Sequence, residues 1–244
     1  MNLKPLFITL AALCASASGA VSAAQVVVTT GAGYVKMVDA LVELYQKETG
    51  AVVEKSFGGN IGQMLAQVRH GSGVNVVISD ESSLKKFEAE LAPAAAPLGS
   101  TPLVLVWRKG LELKEPSDIA LDAVKTVASP NPKAAVYGLA AARWLKASGL
   151  EVRVAPKLQV VGTVPQVYSY VSTGNMDAGF VNLAVLQSGT GGIGGHAFIR
   201  DESAVVHMVA RPVKGALTDA DVKAFMDFLA SDKAKPVLRR FGID

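Results

Sequence analysis

Four short segments of this chain combine glycine, hydroxyl or amide residues with almost no formal charge. They are Thr29-Thr30-Gly31-Ala32-Gly33-Tyr34, Ser56-Phe57-Gly58-Gly59-Asn60-Ile61, Ser129-Pro130-Asn131-Pro132-Lys133-Ala134 and Gly162-Thr163-Val164-Pro165-Gln166. Each follows an apolar, strand-like run and opens a helix-like one. The first turn of a helix leaves backbone N–H groups without intrahelical acceptors and carries the positive end of the helix dipole, so each segment is a potential anion seat. Lys133 is the only charged residue in the four. Such a site holds an anion with backbone donors and dipoles rather than with an ion pair, which points to binding of a small oxyanion.

Signatures of other chemistries are missing. No Gly-Lys dipeptide occurs, so there is no phosphate-cradling P-loop, and no Gly-x-Ser-x-Gly nucleophile elbow occurs either. Gly31-Ala32-Gly33 begins like a dinucleotide fingerprint, but Lys36 stands where the third glycine belongs. His70, His196 and His207 lie far apart, with no pair at metal-ligand spacing. Each reads better as a surface, loop or core histidine than as a catalytic one. Tyr137, Trp144 and Tyr168 read as aromatics packing helices on sheets rather than stacking on a ligand. Asp80, just past a strand, reads first as a helix cap and second as a ligand contact.

The elements that must position these loops follow from the periodicity. Val26-Val27-Val28 is a buried strand, and Tyr34, Val38, Leu41, Val42 and Tyr45 then share one helical face up to Gly50. A strand over 52–56, a helix carrying Ile61, Met64, Leu65 and Val68, and a strand over 74–79 continue the alternation. This order describes a parallel sheet with crossover helices. The Pro/Ala-rich stretch 92–97 reads as a break before a strand over 103–107. A second set has strands over 126–128, 158–161 and 178–182 and helices over 134–147 and 165–172. The stretch 189–195 is too glycine-rich for regular structure and reads as a surface loop. A strand over 205–210 and a helix carrying Val222, Phe225, Met226 and Leu229 complete the chain, with a last short helix at Val237-Leu238. Two α/β sets facing each other across their strand C-terminal ends make a cleft.

Composition bounds the rest. Lys4, an apolar stretch from 5 to 17 and Val21-Ser22-Ala23 read as a secretory signal cleaved after Ala23. Cys14, the one cysteine, lies inside it, so the mature chain is expected to have neither disulfide nor thiolate metal site. Loss of Lys4 takes the formal net charge from +3 to +2, and no Lys/Arg run exists to bind nucleic acid. About 220 residues suffice to build a core without cross-links.

At the four loops the chain resembles the periplasmic molybdate/tungstate-binding proteins, the extracytoplasmic receptors of ABC importers. The likeness rests on Val-Val-Val-Thr-Thr-Gly-Ala-Gly at the start, Ser56-Phe57, Val76-Val77-Ile78-Ser79, Ala134-Ala135-Val136-Tyr137, Thr163-Val164-Pro165-Gln166-Val167 and Arg240-Phe241-Gly242. The resemblance implies an α/β, two-lobe periplasmic-binding-protein fold of type II, with the ligand in the cleft between lobes. It places anion contacts at Gly33, Asn60, Ala134, Val164 and Asn182. Their loop neighbours Ala32, Tyr34 and Gly59 complete the expected ligand-binding set. Glycine and asparagine stand at 33 and 60 where the family's usual form has serines, and Asn182 replaces its tyrosine. The resemblance further implies a periplasmic monomer that hands its anion to a permease driven by a separate ATPase, with no cofactor, no catalysis and no resident metal.

The expected limits are 1–23 for the signal, 24–99 plus 205–244 for one lobe and 100–204 for the other, with hinges near Leu103 and Val205. Molybdate, tungstate and sulfate only accept hydrogen bonds near neutral pH, whereas protonated phosphate favours a site with a carboxylate acceptor. None of the four loops has an Asp, Glu or Arg. The alternatives are a receptor for sulfate or for an organic or phosphorylated anion in the same fold, and, least favoured, an exported hydrolase using Asp80 and His207.

Overall fold

The β-branched runs of this chain form two five-stranded sheets in a computed structural model that describes residues 26–244. The expected signal segment and Cys14 lie outside the described residues. The first sheet begins with β1 (Val26–Thr30), whose five residues are all buried and end at Gly31. Helix α1 (Val35–Thr49) follows a single 3-10 turn and buries Met37, Val38, Leu41, Val42 and Tyr45. It ends at Gly50, whose φ of 72° is the left-handed conformation that glycine adopts without a Cβ penalty. Then come β2 (Val53–Lys55), α2 (Ile61–Arg69), β3 (Val76–Asp80), the short α3 (Glu81–Leu84) and β4 (Ala96–Thr101).

The chain leaves this sheet at Pro102. The second sheet is built from β5 (Leu103–Arg108), β6 (Val127–Pro130), α4 (Val136–Ala147), α5 (Glu151–Val154), β7 (Leu158–Val161), α6 (Val164–Ser172), β8 (Ala178–Asn182), α7 (Leu183–Ser188) and β9 (Ile193–Ile199). The return falls between Ile199 and Val206, and β10 (Val206–Pro212), α8 (Ala220–Leu229) and α9 (Lys235–Arg240) rejoin the first unit.

The spatial orders are β2-β1-β3-β10-β4 and β7-β6-β8-β5-β9. The first three strands of each are parallel, while β10 runs antiparallel to β3 and β4, and β5 to β8 and β9. The parallel register pairs Thr30 with Ile78, and in the other sheet Val127 with both Leu158 and Ala178. Parallel register brings the strand C-terminal ends of each sheet to one edge, where the loops to α1, α2, α4 and α6 emerge.

Helix α8 closes the back of the first unit. Its Phe225 and Phe228 rings lie 5.0 and 5.1 Å from Tyr45 of α1, so the two amphipathic faces read from sequence pack on each other. Among the described residues no helix is long and apolar enough to cross a membrane.

Two local expectations are corrected. The stretch 92–97 is not wholly a break, since β4 begins at Ala96 and pairs with β10. The glycine-rich stretch does not stay a loop, because β9 begins at Ile193 and runs through Gly194 and Gly195 along β5. Glycine is required there by close approach: a Cβ on Gly195 would sit 2.5 Å from the Trp107 indole, and one on Gly194 would strike the Arg108 carbonyl.

Candidate functional site

Each helix start can be accounted for by where its N–H groups go. At α1 the Tyr34 N–H turns back to the Gly31 carbonyl at 3.0 Å, and the start has no side-chain cap, leaving the Ala32 and Gly33 N–H groups at the head of the turn. At α2, Asn60 forms a capping box. Its Oδ1 accepts from the Gln63 N–H at 3.0 Å, and Gln63 Oε1 accepts from the Asn60 N–H at 3.1 Å.

At α4 the chain makes a tight turn first. The Ala134 and Ala135 N–H groups both donate to the Asn131 carbonyl, at 3.0 and 2.8 Å. Ala134 therefore lines the site with its N–H already engaged, and the first-turn donors of α4 are those of Val136 and Tyr137. At α6, Gln166 Oε1 takes the Thr163 N–H at 3.0 Å, and Pro165 has no N–H to offer. The Val164 N–H is thus the leading donor of that helix.

These four starts meet. Gly31, Ala32, Gly33, Tyr34, Gly59, Asn60, Ala134, Ala135, Val136, Tyr137, Thr163 and Val164 line one cavity of about 30 Å³. One water needs roughly 10–15 Å³ on this measure, so the space suits a few oxygen-sized atoms. No Asp, Glu, Lys or Arg is in the lining. Seven of the residues expected from sequence, Ala32, Gly33, Tyr34, Gly59, Asn60, Ala134 and Val164, are brought together here.

Asn182, the eighth, does not line the cavity but stands behind it. It is 1 % exposed, and its Nδ2 donates to the Gly33 carbonyl at 2.9 Å while its Oδ1 caps α7 by accepting from the Val185 N–H at 2.9 Å. Gly31, Ala135, Val136, Tyr137 and Thr163 were not in the expected set. The signal for Val136 and Tyr137 was the helix start itself, displaced by the Asn131 turn.

The inner wall is aromatic. Tyr34 and Tyr137 come from opposite units, with ring centroids 5.7 Å apart, and their hydroxyls are buried beside each other and beside the side chains of Asn182 and Thr101. Burial, with Tyr137 beside it, pushes the Tyr34 hydroxyl well above the ordinary phenol value of 10.0. Burial likewise raises Tyr137. Both phenols are neutral at physiological pH.

Asp80 stays outside the lining and acts as the cap of α3, its Oδ1 accepting from the Ser83 N–H at 3.0 Å and from the Ser82 hydroxyl at 2.5 Å. Lys133 is exposed and outside the lining as well. His70, His196 and His207 are all exposed, and His196 lies edge-on to Phe198 at 5.3 Å. Among the described residues no cluster of His, Cys, Asp and Glu is arranged to hold a metal ion.

Residues 26–244 match the family described as bacterial extracellular solute-binding protein. The chain belongs to that family. Its members are named for binding a solute, not for catalysis. The chain is 26% identical over 227 residues to the molybdate-binding protein ModA of Rhodobacter capsulatus, covering 91% of this chain and 88% of that one. It is 28% identical over 237 residues to ModA of Azotobacter vinelandii, covering 91% of each. The solved Azotobacter vinelandii periplasmic molybdate-binding protein superposes with a TM-score of 0.78 at 26% identity, over 90% of this chain and 98% of that one. The two-lobe α/β architecture of this family is thus the fold of this solute-binding protein.

Proposed function

We propose that this solute-binding protein is the receptor of an ABC importer for a tetrahedral, fully deprotonated oxyanion, with molybdate and tungstate foremost. The observation that carries the reading is the neutral cavity of about 30 Å³ built from helix starts of both sheets. An anion enclosed there loses its water, and every lost hydration contact needs an aimed donor. The first-turn N–H groups of α1, α2, α4 and α6 supply such donors from opposite sides, with the dipoles of four helices behind them.

Such a site has donors and no carboxylate acceptor, which favours molybdate, tungstate or sulfate over protonated phosphate. The molybdate-binding names of the Rhodobacter and Azotobacter relatives support the larger anions. Export by a cleaved signal at 1–23, action as a periplasmic monomer and delivery to a permease with its own ATPase belong to the same proposal. The hinge would lie at the two crossings, around Pro102 and between Ile199 and Val206. The lobes would then be 24–99 with 205–244 and 100–204, except that Ser100 and Thr101 pair with β10.

A second reading, a receptor for a larger organic or phosphorylated anion, is favoured by a neighbouring cavity of about 220 Å³. That cavity shares Ala32 and Gly33 with the first and has Lys36 in its wall.

The deciding experiment is a thermal-shift panel on the purified mature protein with molybdate, tungstate, sulfate, chromate, vanadate and phosphate, followed by calorimetry. A ligand at a hundred times its Kd adds about 2.7 kcal/mol of stability. Stabilisation by molybdate and tungstate is the expected result. No shift with any of these ions would reject the oxyanion reading and leave the organic anion.

A further inference from the structure

The hydrogen bond between Asn182 and Gly33 spans 149 positions of sequence and joins the two lobes directly beside the cavity. Capping α7 explains only half of the Asn182 side chain. The cap uses Oδ1 alone, and serine or aspartate would serve it as well. What the amide adds is an NH2 with two donors on the same planar group: one goes to the carbonyl of the opposite lobe, and the side chain is also within hydrogen-bond reach of the buried Tyr34 and Tyr137 hydroxyls. The glycine across from it is matched to the contact. A Cβ on Gly33 would lie 3.2 Å from Asn182 Nδ2, close enough to push the amide back by a few tenths of an ångström, while Val164 Cγ2 at 3.6 Å would be in ordinary contact.

We propose that Asn182 is a positioning residue that latches the lobes over the bound anion, and that Gly33 lacks a side chain because the latch needs its space. This rests on the cavity being the anion seat. In this role Asn182 does not touch the anion. It holds the Gly33 turn against β8 and the α6 start, so that donors from both lobes face the cavity at once. Breaking the latch speeds release more than it slows capture, because the bond forms only as the lobes meet.

The test uses Asn182→Ser, which keeps a capping hydroxyl but is too short to reach Gly33, together with Gly33→Ala and the double variant. Molybdate dissociation is followed by stopped flow. Interlobe distances are read by spin labels at Val52→Cys and Val152→Cys in the mature protein, exposed positions at 62 % and 82 %. Asn182→Ser is expected to raise the dissociation rate about 2- to 12-fold, the range of one net hydrogen bond. The association rate should change little, and the distance distribution should shift longer. Gly33→Ala should act in the same direction in the wild-type background and add little in the Asn182→Ser background, since the space is then free.

Additive effects of the two substitutions, or an affinity loss with unchanged distances, would overturn the latch, the latter in favour of a direct anion contact. Should the wild type bind none of the oxyanions of the thermal-shift panel, the seat reading fails while the latch is still judged on distances measured without anion. A longer distribution in Asn182→Ser then supports it, and an unchanged one rejects it.

Discussion

At the scale of single residues, the site separates groups that hold the scaffold from groups that face the cavity, and Asn60 does both. Its Oδ1 caps α2 while the residue lines the cavity. Asn60→Asp keeps the cap and adds a negative charge that the helix start tolerates well, so thermal stability should hold or rise slightly. The same charge opposes a bound dianion at close range, so oxyanion affinity should fall on the order of 100-fold. Calorimetry beside a melting curve checks both signs. The phenols make a different prediction. The Tyr34 hydroxyl is buried against Tyr137 and Asn182, so Tyr34→Phe at neutral pH should cost what one net hydrogen bond contributes, about 0.5–1.5 kcal/mol. In alkali the sign is set by the raised folded-state value. The unfolded phenol ionises at its ordinary 10.0 while the folded one keeps its proton, so stability present below pH 10 is lost as pH rises further. Melting temperature should fall steeply there, and less steeply in Tyr34→Phe or Tyr137→Phe, with the phenolate absorbance of Tyr34 and Tyr137 appearing only on unfolding. Tyr137 itself was hard to read from sequence. Its place on the apolar face of α4 marks it as core, which it is, and only the meeting of two lobes turns that core position into a cavity wall. That the Ala134 N–H is engaged was also hidden, because the Asn131 turn that engages it has no local sequence mark distinct from a helix start.

At the scale of elements, amphipathic helices were the most legible feature and the mixed strands the least. The faces of α1 and α8 follow from 3.6-residue spacing alone, since each buries one stripe against the first sheet and the other helix. The strand β9 was illegible because its glycines answer to Trp107 and Arg108 of a strand about ninety residues away, not to local propensity. The antiparallel placement of β5 and β10 likewise depends on where the chain crosses between sheets. The second sheet is clamped at the end away from the cavity by Asp177. Its Oδ1 accepts from Arg108 Nε at 2.6 Å, and its Oδ2 takes the Lys125 and Thr126 N–H groups at 2.7 and 3.0 Å, tying β5, β6 and β8 together. Burial by itself would raise this carboxyl, but the Arg108 guanidinium and the two backbone donors hold it below its ordinary 3.8. Its contribution is therefore complete at neutral pH and is lost as pH falls through the lowered folded-state value. Asp177→Ala strands one cation and two N–H groups and should cost about 2–4 kcal/mol in urea denaturation. Oxyanion affinity per folded molecule should stay unchanged, because the clamp and the cavity occupy opposite edges of the sheet.

At the scale of the whole molecule, two sheets joined by two crossings let distant loops converge without any loop carrying charge, and this sets how the protein should respond to salt. The sequence carries a formal net charge of +3 spread over Lys, Arg, Asp and Glu, none of which lines the cavity. Surface charges act on an approaching anion through solvent, and a tenfold rise in ionic strength shortens their screening length about threefold. Buried N–H groups and helix dipoles act across the wall of a closed cleft, where mobile ions do not enter. Equilibrium affinity measured by calorimetry in low and high sodium chloride should therefore change by less than about threefold, with any decline confined to the association rate. A loss of an order of magnitude would instead assign the anion to an exposed cation such as Lys36, at the neighbouring cavity, and with it to the larger organic ligand. The salt response thus separates the two readings by the kind of electrostatics each requires, before any ligand is seen in place.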